Sequence, residues 1–232
     1  ATSGRPGPVV IDIPMDFQKA KLDINKLKSF KLDKRKKKSS ITPKVKNLIK
    51  LLQKSSRPVL LLGGGIKISK SEKILEKVLN KLKVPLVTTW SGVDLIEHNN
   101  KNYIGNVGVY GSRAANFTVQ NSDLLLCLGS RLDTRITGGV PSSFARKSKV
   151  IVVDIDKNEL SKKRGLKVHL KINEDLAIFF NDFIKHLRLN KTEVQQNWLD
   201  ICRDWKKKYP IVKNEYFKQK KFVNPYVFFD SL

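Results

Sequence analysis

Three short apolar runs constrain this chain more than any other feature: "PVLLL" at 58–62, "LLLCL" at 124–128 and "VIVV" at 150–153. None offers a polar residue to water, so each reads as a strand buried on both faces, as in a parallel sheet covered by helices on two sides. Each run then stops at glycine or aspartate, namely Gly63-Gly64-Gly65, Gly129 and Asp154. Helical patterns lie between them. "TPKVKNLIKLLQKS" reads as a helix with Thr42 as N-cap, Pro43 at the first helical position, and Val45, Leu48, Ile49 and Leu52 on one face. "SKSEKILEKVLNKLK", "GSRAANFTVQN", "KNELSKK" and "NEDLAIFFNDFIKHL" continue the helical series, while "VPLVTT" and the edge-like "LKVHLKI" add strands. The alternation predicts an α/β fold, a doubly wound, Rossmann-like parallel sheet with helices on both faces. Such sheets bind ligands at the carboxyl ends of their strands.

Around this core the pattern breaks. Residues 9–13, "VVIDI", follow a Gly/Pro turn and precede Pro14, which reads as an isolated strand. Residues 1–18 are therefore expected to be the tail of a preceding domain, 19–40 a Lys-rich linker, and 41–190 the complete central domain. Residues 191–232 are expected to hold a linker helix, with Val194, Trp198, Ile201 and Trp205 on one face, and the start of a further domain.

The formal charge of +25 invites a nucleic-acid reading, since Lys and Arg release counterions from phosphate. However, the cations are 36 Lys and 10 Arg, spread over helix surfaces, and specific base recognition favours Arg. Nucleic acid is therefore not the expected partner. Cys127 and Cys202 form no C-x-x-C pair, and His98, His169 and His186 have no metal-ligand spacing, so no metal site is expected. No apolar run is long enough to span a membrane and no secretion signal opens the chain, so the expected location is cytoplasmic.

The strand ends carry the candidate chemistry. Gly63-Gly64-Gly65 could bring backbone N–H groups to a phosphate or be a plain turn; it lacks the G-x-G-x-x-G spacing. Thr89 offers a hydroxyl and Trp90 a ring that could cover a ligand or belong to the core. "IGNVGVYGSRAAN" is a glycine-rich loop running into a helix N-terminus, with or without a ligand. After Gly129, Arg131, Asp133 and Arg135 alternate; if extended, they share a face and either meet a charged ligand or form a salt-bridge ladder. Asp154, ending a buried strand, is placed to accept from ribose hydroxyls. Asp175 either caps the last helix or meets an adenine amino group. No nucleophile elbow, P-loop or pair of acid/base carboxylates is present, so no catalytic residue is expected.

Taken together, "GRPGPVVIDIP", "RPVLLLGGG", "VPLVTTWSG", "GNVGVYGSRAANFTVQNSDLLLCLGSRLDTRITGG" and "FARKSKVIVVDIDKNEL" resemble acetohydroxyacid synthase (acetolactate synthase) and related thiamine-diphosphate enzymes. The resemblance implies that this chain is centred on the middle of three α/β domains, which in that family carries FAD in a structural role, and ADP or no nucleotide in some relatives. Thiamine diphosphate and Mg²⁺ would belong to the flanking domains of a full-length parent, and with them the catalytic residues. The parent would decarboxylate a 2-oxo acid such as pyruvate and join it to a second one, in branched-chain amino acid biosynthesis. Its partners would be the remaining domains, a homodimer or homotetramer, and a regulatory subunit.

The same resemblance implies that Arg5 touches the FAD and Gly64 lies beside it. Thr89 and Trp90 would line the flavin, with Val107, Gly108, Val109 and Tyr110 along the diphosphate and ribityl. Gly129, Arg131, Asp133 and Arg135 would hold the ribityl and phosphate region, and Asp154, Ile155, Asp175 and Leu176 the adenosine end. Met15 stands where the family usually has Lys, and Tyr110 where His is frequent. Competing readings are another thiamine-diphosphate 2-oxo-acid decarboxylase or lyase, a sirtuin-like deacylase, which the Cys and His counts oppose, and a basic nucleic-acid-binding module.

Overall fold

The computed structural model describes residues 1, 6–29, 40–187 and 193–232. The chain divides into two compact units, Ala1–Ser40 and Ile41–Leu232. In the first, the described residues form a helical turn at Met15–Gln18 and a 3-10 turn at Ile24–Lys26. Residues 9–13 form no strand, contrary to the sequence expectation. A strand needs a neighbour's backbone groups, and none pairs with it among the described residues.

The second unit is built on six parallel strands: β1 (Pro58–Leu62), β2 (Leu86–Thr88), β3 (Tyr103–Asn106), β4 (Leu124–Leu128), β5 (Lys149–Asp154) and β6 (Val168–Asn173). Their spatial order is β3-β2-β1-β4-β5-β6, the dinucleotide-fold order in which connections leave β1 and β4 in opposite directions. The helices are α1 (Thr42–Lys54), α2 (Gly65–Ile68), α3 (Glu72–Lys81), α4 (Arg113–Asn121), α5 (Thr134–Thr137), α6 (Lys157–Ser161), α7 (Leu176–His186), α8 (Glu193–Lys208) and α9 (Pro225–Asp230).

Alternation along the strands fills two cores. Leu60, Leu62, Leu126 and Val153 face one layer with Leu48 and Leu52 of α1, Val78 of α3 and Phe179, Phe180 and Phe183 of α7. Val59, Leu61, Cys127 and Val152 face the other, with Ala115 and Val119 of α4 and Trp198 and Cys202 of α8. Both sides of β1, β4 and β5 are thus dry, which is why these strands read as unbroken apolar runs.

Two helix details differ from the sequence reading. Thr42 lies within α1 and does not cap it; its Oγ1 donates to Asp182 Oδ1 of α7 at 3.2 Å. The helix expected as a linker, α8, is part of the second core: Trp198 is buried and its Nε1 donates to the Pro58 carbonyl at 3.2 Å. Its buried stripe runs through Trp198, Leu199 and Cys202, with Trp205 packed against the same core and Ile201 left exposed, while the side chain of Val194 lies outside the described residues. Strand β3 is a further difference: by sequence "IGN" reads as part of a glycine-rich loop, whereas Tyr103–Asn106 pairs with β2.

Candidate functional site

Register brings the strand ends level. Leu62 pairs with Leu128 and Leu128 with Val153, so Gly63, Gly129 and Asp154 lie side by side at the carboxyl edge. Here the loops after β1 and β4 touch backbone to backbone. The Gly63 N–H donates to the Leu128 carbonyl at 2.9 Å and the Gly65 N–H to the Gly129 carbonyl at 3.0 Å. A Cβ on Gly63 would fall 2.3 Å from the Gly129 oxygen, and one on Gly65 2.8 Å from the Gly129 Cα. The triple glycine is therefore required by loop packing at the switch point. Gly64 performs the same service toward Ser91, whose Cβ a Gly64 Cβ would approach to 2.8 Å.

Ser91 belongs to a 3-10 turn, Trp90–Leu95, that follows β2. Thr89 is buried just before it, its N–H donating to the Leu62 carbonyl at 3.0 Å. Trp90 is half exposed and meets the exposed Tyr110 at a ring separation of 5.6 Å, so it is not a core residue. Lys67 of α2 pairs with Asp94 at 2.8 Å, tying the turn to the loop after β1. This contact lowers the Asp94 pKa, chiefly through the Lys67 hydrogen bond.

The loop after β3 has Val107 and Gly108 buried and Val109 and Tyr110 exposed. Asn116 of α4 holds Gly108 through both of its backbone polar groups. The Val109 N–H donates to the Arg135 carbonyl at 2.8 Å, joining this loop to α5.

Beyond Gly129 the extended run expected from the sequence does not form. Leu132 is buried in the second core and takes φ of +48°, and Asp133 accepts the Arg135 N–H at 3.0 Å as the N-cap of α5. Arg131, Asp133 and Arg135 therefore do not line one face: burial of Leu132 and the cap turn the chain into a helix. All three remain exposed. Arg131 pairs with Glu159 of α6 at 3.2 Å, a partner that strand periodicity could not reveal. Glu159 also binds Lys162 and, at 2.6 Å, Arg164. Burial would raise its pKa, but the hydrogen bonds of Lys162 and Arg164 and the charges of Arg131 and Arg164 prevail and bring it down to about 2.

On the adenosine side of the expected site, Asp154 is buried and accepts the Asp156 N–H at 2.8 Å, which closes the turn into α6. Asn173 Nδ2 donates to the Asp154 and Ile155 carbonyls at 3.1 and 2.8 Å. Asp175 caps α7, accepting the Ala177 N–H at 2.8 Å, while Leu176 is buried against Gly129. A cavity of about 40 Å³ lies among Leu132, Val152, Leu160 and Leu166, beside Arg131 and Asp154. Its volume leaves room for a few waters. Arg5 lies outside the described residues. No group of three or more His, Cys, Asp and Glu among the described residues could hold a metal ion.

The family described as "Thiamine pyrophosphate enzyme, central domain" matches residues 45–183, which include all six strands and the edge just described. This chain belongs to that family. As a thiamine pyrophosphate enzyme central domain, it is similar to the probable acetolactate synthase large subunit of Methanococcus aeolicus, at 34% identity over 88% of this chain and 35% of that protein. It is also similar to the acetolactate synthase large subunit of Cyanidium caldarium (32%, covering 90% and 37%) and to isozyme 2 of Escherichia coli strain K12 (35%, covering 76% and 31%). The central-domain chain thus spans about a third of the length of these relatives. Among its described residues, no helix is long and apolar enough to cross a membrane.

Proposed function

We propose that this central domain binds FAD, in a structural role, across the carboxyl edge of β1, β2 and β4, within an acetolactate-synthase-like parent enzyme. The observation that carries the reading is the dinucleotide-fold strand order in a thiamine pyrophosphate enzyme central domain, with the β1 and β4 loops in backbone contact at the switch point. The surroundings fit an adenine dinucleotide. Trp90 and Tyr110 offer exposed rings for an isoalloxazine at one end, Arg131 a half-exposed guanidinium for phosphate, and Asp175 a carboxylate at the far end. The ring pair favours FAD over ADP, which has no second ring system to stack.

The parent would decarboxylate a 2-oxo acid such as pyruvate and join the fragment to a second 2-oxo acid. Thiamine diphosphate with Mg²⁺ supplies the carbanion chemistry of that reaction and would be held by the remaining domains in a homodimer or homotetramer, with a regulatory subunit. The 232-residue chain alone is expected to bind the nucleotide without catalysing the reaction, and to act in the cytoplasm. An FAD titration of the purified chain, followed by flavin fluorescence and absorption, tests this. Saturation in the micromolar range, weakened about tenfold by Arg131→Ala, is expected. ADP binding without any response to FAD would reassign the ligand, and no binding of either at tens of micromolar would overturn the reading.

A further inference from the structure

The sequence offers Glu159 as one more charged residue in "KNELSKK", yet its side chain is only 7% exposed and meets three cations. Its partners come from two places. Lys162 and Arg164 follow α6, whereas Arg131 belongs to the loop after β4. Arg164 also donates to the carbonyls of Arg131 and Leu132, the latter at 3.3 Å. One Glu159–Arg164 pair, at 2.6 Å, therefore grips both the guanidinium of Arg131 and the backbone that carries it. That backbone includes Leu132 at φ +48°, a conformation unfavourable for a leucine unless its surroundings hold it.

Three cations meet the Glu159 carboxylate, and Arg131 keeps more than half of its side chain exposed, at 56%. A buried carboxylate can hold an arginine's position through one nitrogen while the rest of the fork still reaches an anion.

We propose that Glu159 is a positioning residue of the nucleotide site: with Arg164 it fixes the loop after β4 so that Arg131 presents its guanidinium to the ligand's phosphates. This inference rests on the nucleotide reading above. It makes a selective demand, because the effect runs through Arg131 and hence through phosphate. Ligands with the phosphates should notice the loss of Glu159, and the nucleoside alone should not.

The test compares ADP and adenosine binding by saturation-transfer NMR and calorimetry on the full 232-residue chain, its Glu159→Gln and Arg131→Ala variants, and the double variant. Glu159→Gln should weaken ADP about tenfold and leave adenosine within twofold. The double variant should bind ADP no more weakly than Arg131→Ala alone, since both changes remove the same contact. Unchanged ADP affinity in Glu159→Gln, equal losses for ADP and adenosine, or additive losses in the double variant would each overturn the proposal. Should Glu159→Gln fail to fold, Glu159→Asp carries the same comparison: its retracted carboxylate should cost ADP a few-fold and adenosine nothing. A wild-type chain that binds neither FAD, ADP nor adenosine would overturn the nucleotide reading itself, a result distinct from any of these.

Discussion

Asn116 Oδ1 accepts the Gly108 N–H at 3.0 Å, and Asn116 Nδ2 donates to the Gly108 carbonyl at 2.9 Å. Gly108 is thus held as a strand would hold it, at φ of +127°, a conformation that glycine alone adopts readily. The loop bearing Val109 and Tyr110 depends on this grip, so Asn116→Ala should lower stability by about 2 kcal/mol, from two lost hydrogen bonds and a stranded Gly108 N–H. Urea denaturation measures the loss. Hydrogen exchange should show the 107–111 loop loosened in the variant.

Gly129→Ala should be the more damaging change. Gly129 has φ of +63°, and a Cβ there would fall 2.8 Å from both the Gly65 Cα and Leu176 Cδ1. Left-handed strain and the clash with backbone together should cost about 2–4 kcal/mol. Chemical denaturation should show this at neutral pH, and nucleotide binding should fail with it.

Glu159 sets a pH dependence. Its folded pKa of about 2 lies below the ordinary 4.5. The folded state therefore holds the charged form, and the associated stability is present above pH 4.5 and lost as pH falls toward 2. Solvent around Arg131 and Lys162 screens the pairs, leaving about 1–2 kcal/mol. Urea melts at pH 7, 4.5 and 3 should show wild type losing this increment below pH 4.5. Glu159→Gln should lack it throughout, so the two curves should converge in acid.

Both thiols should be inert in the native state. Burial pushes the Cys127 pKa up beyond the usual thiol range; it also pushes Cys202 up to about 12, against a lowering hydrogen bond with Thr118. Thiolate, the reactive form, is then scarce at pH 8. A thiol-reactive dye should label neither residue until denaturant unfolds the second unit, and labelling should follow the unfolding transition.

The parallel sheet was legible because its signal is local. Runs such as "LLLCL" cannot satisfy a half-wet strand, and Val45, Leu48, Ile49 and Leu52 repeat at helical spacing; burial on both sheet faces and on one helix face follows. Strand β3 was harder, since Gly105 and Asn106 weaken its pattern, and it forms by pairing with β2.

The amino-acid sequence by itself determined the alternation of elements, the two dry sheet faces and the placing of Gly63, Gly129 and Asp154 at strand ends, because hydrophobic periodicity and breaker residues act over a few neighbours. Only the tertiary structure decided what those ends do. It set Gly63 and Gly65 against Gly129, turned Asp133 into a helix cap, drew α8 into the core and joined Arg131 to Glu159, 28 positions further along. These are contacts between segments distant in sequence, fixed by strand register and packing, and no local pattern encodes them.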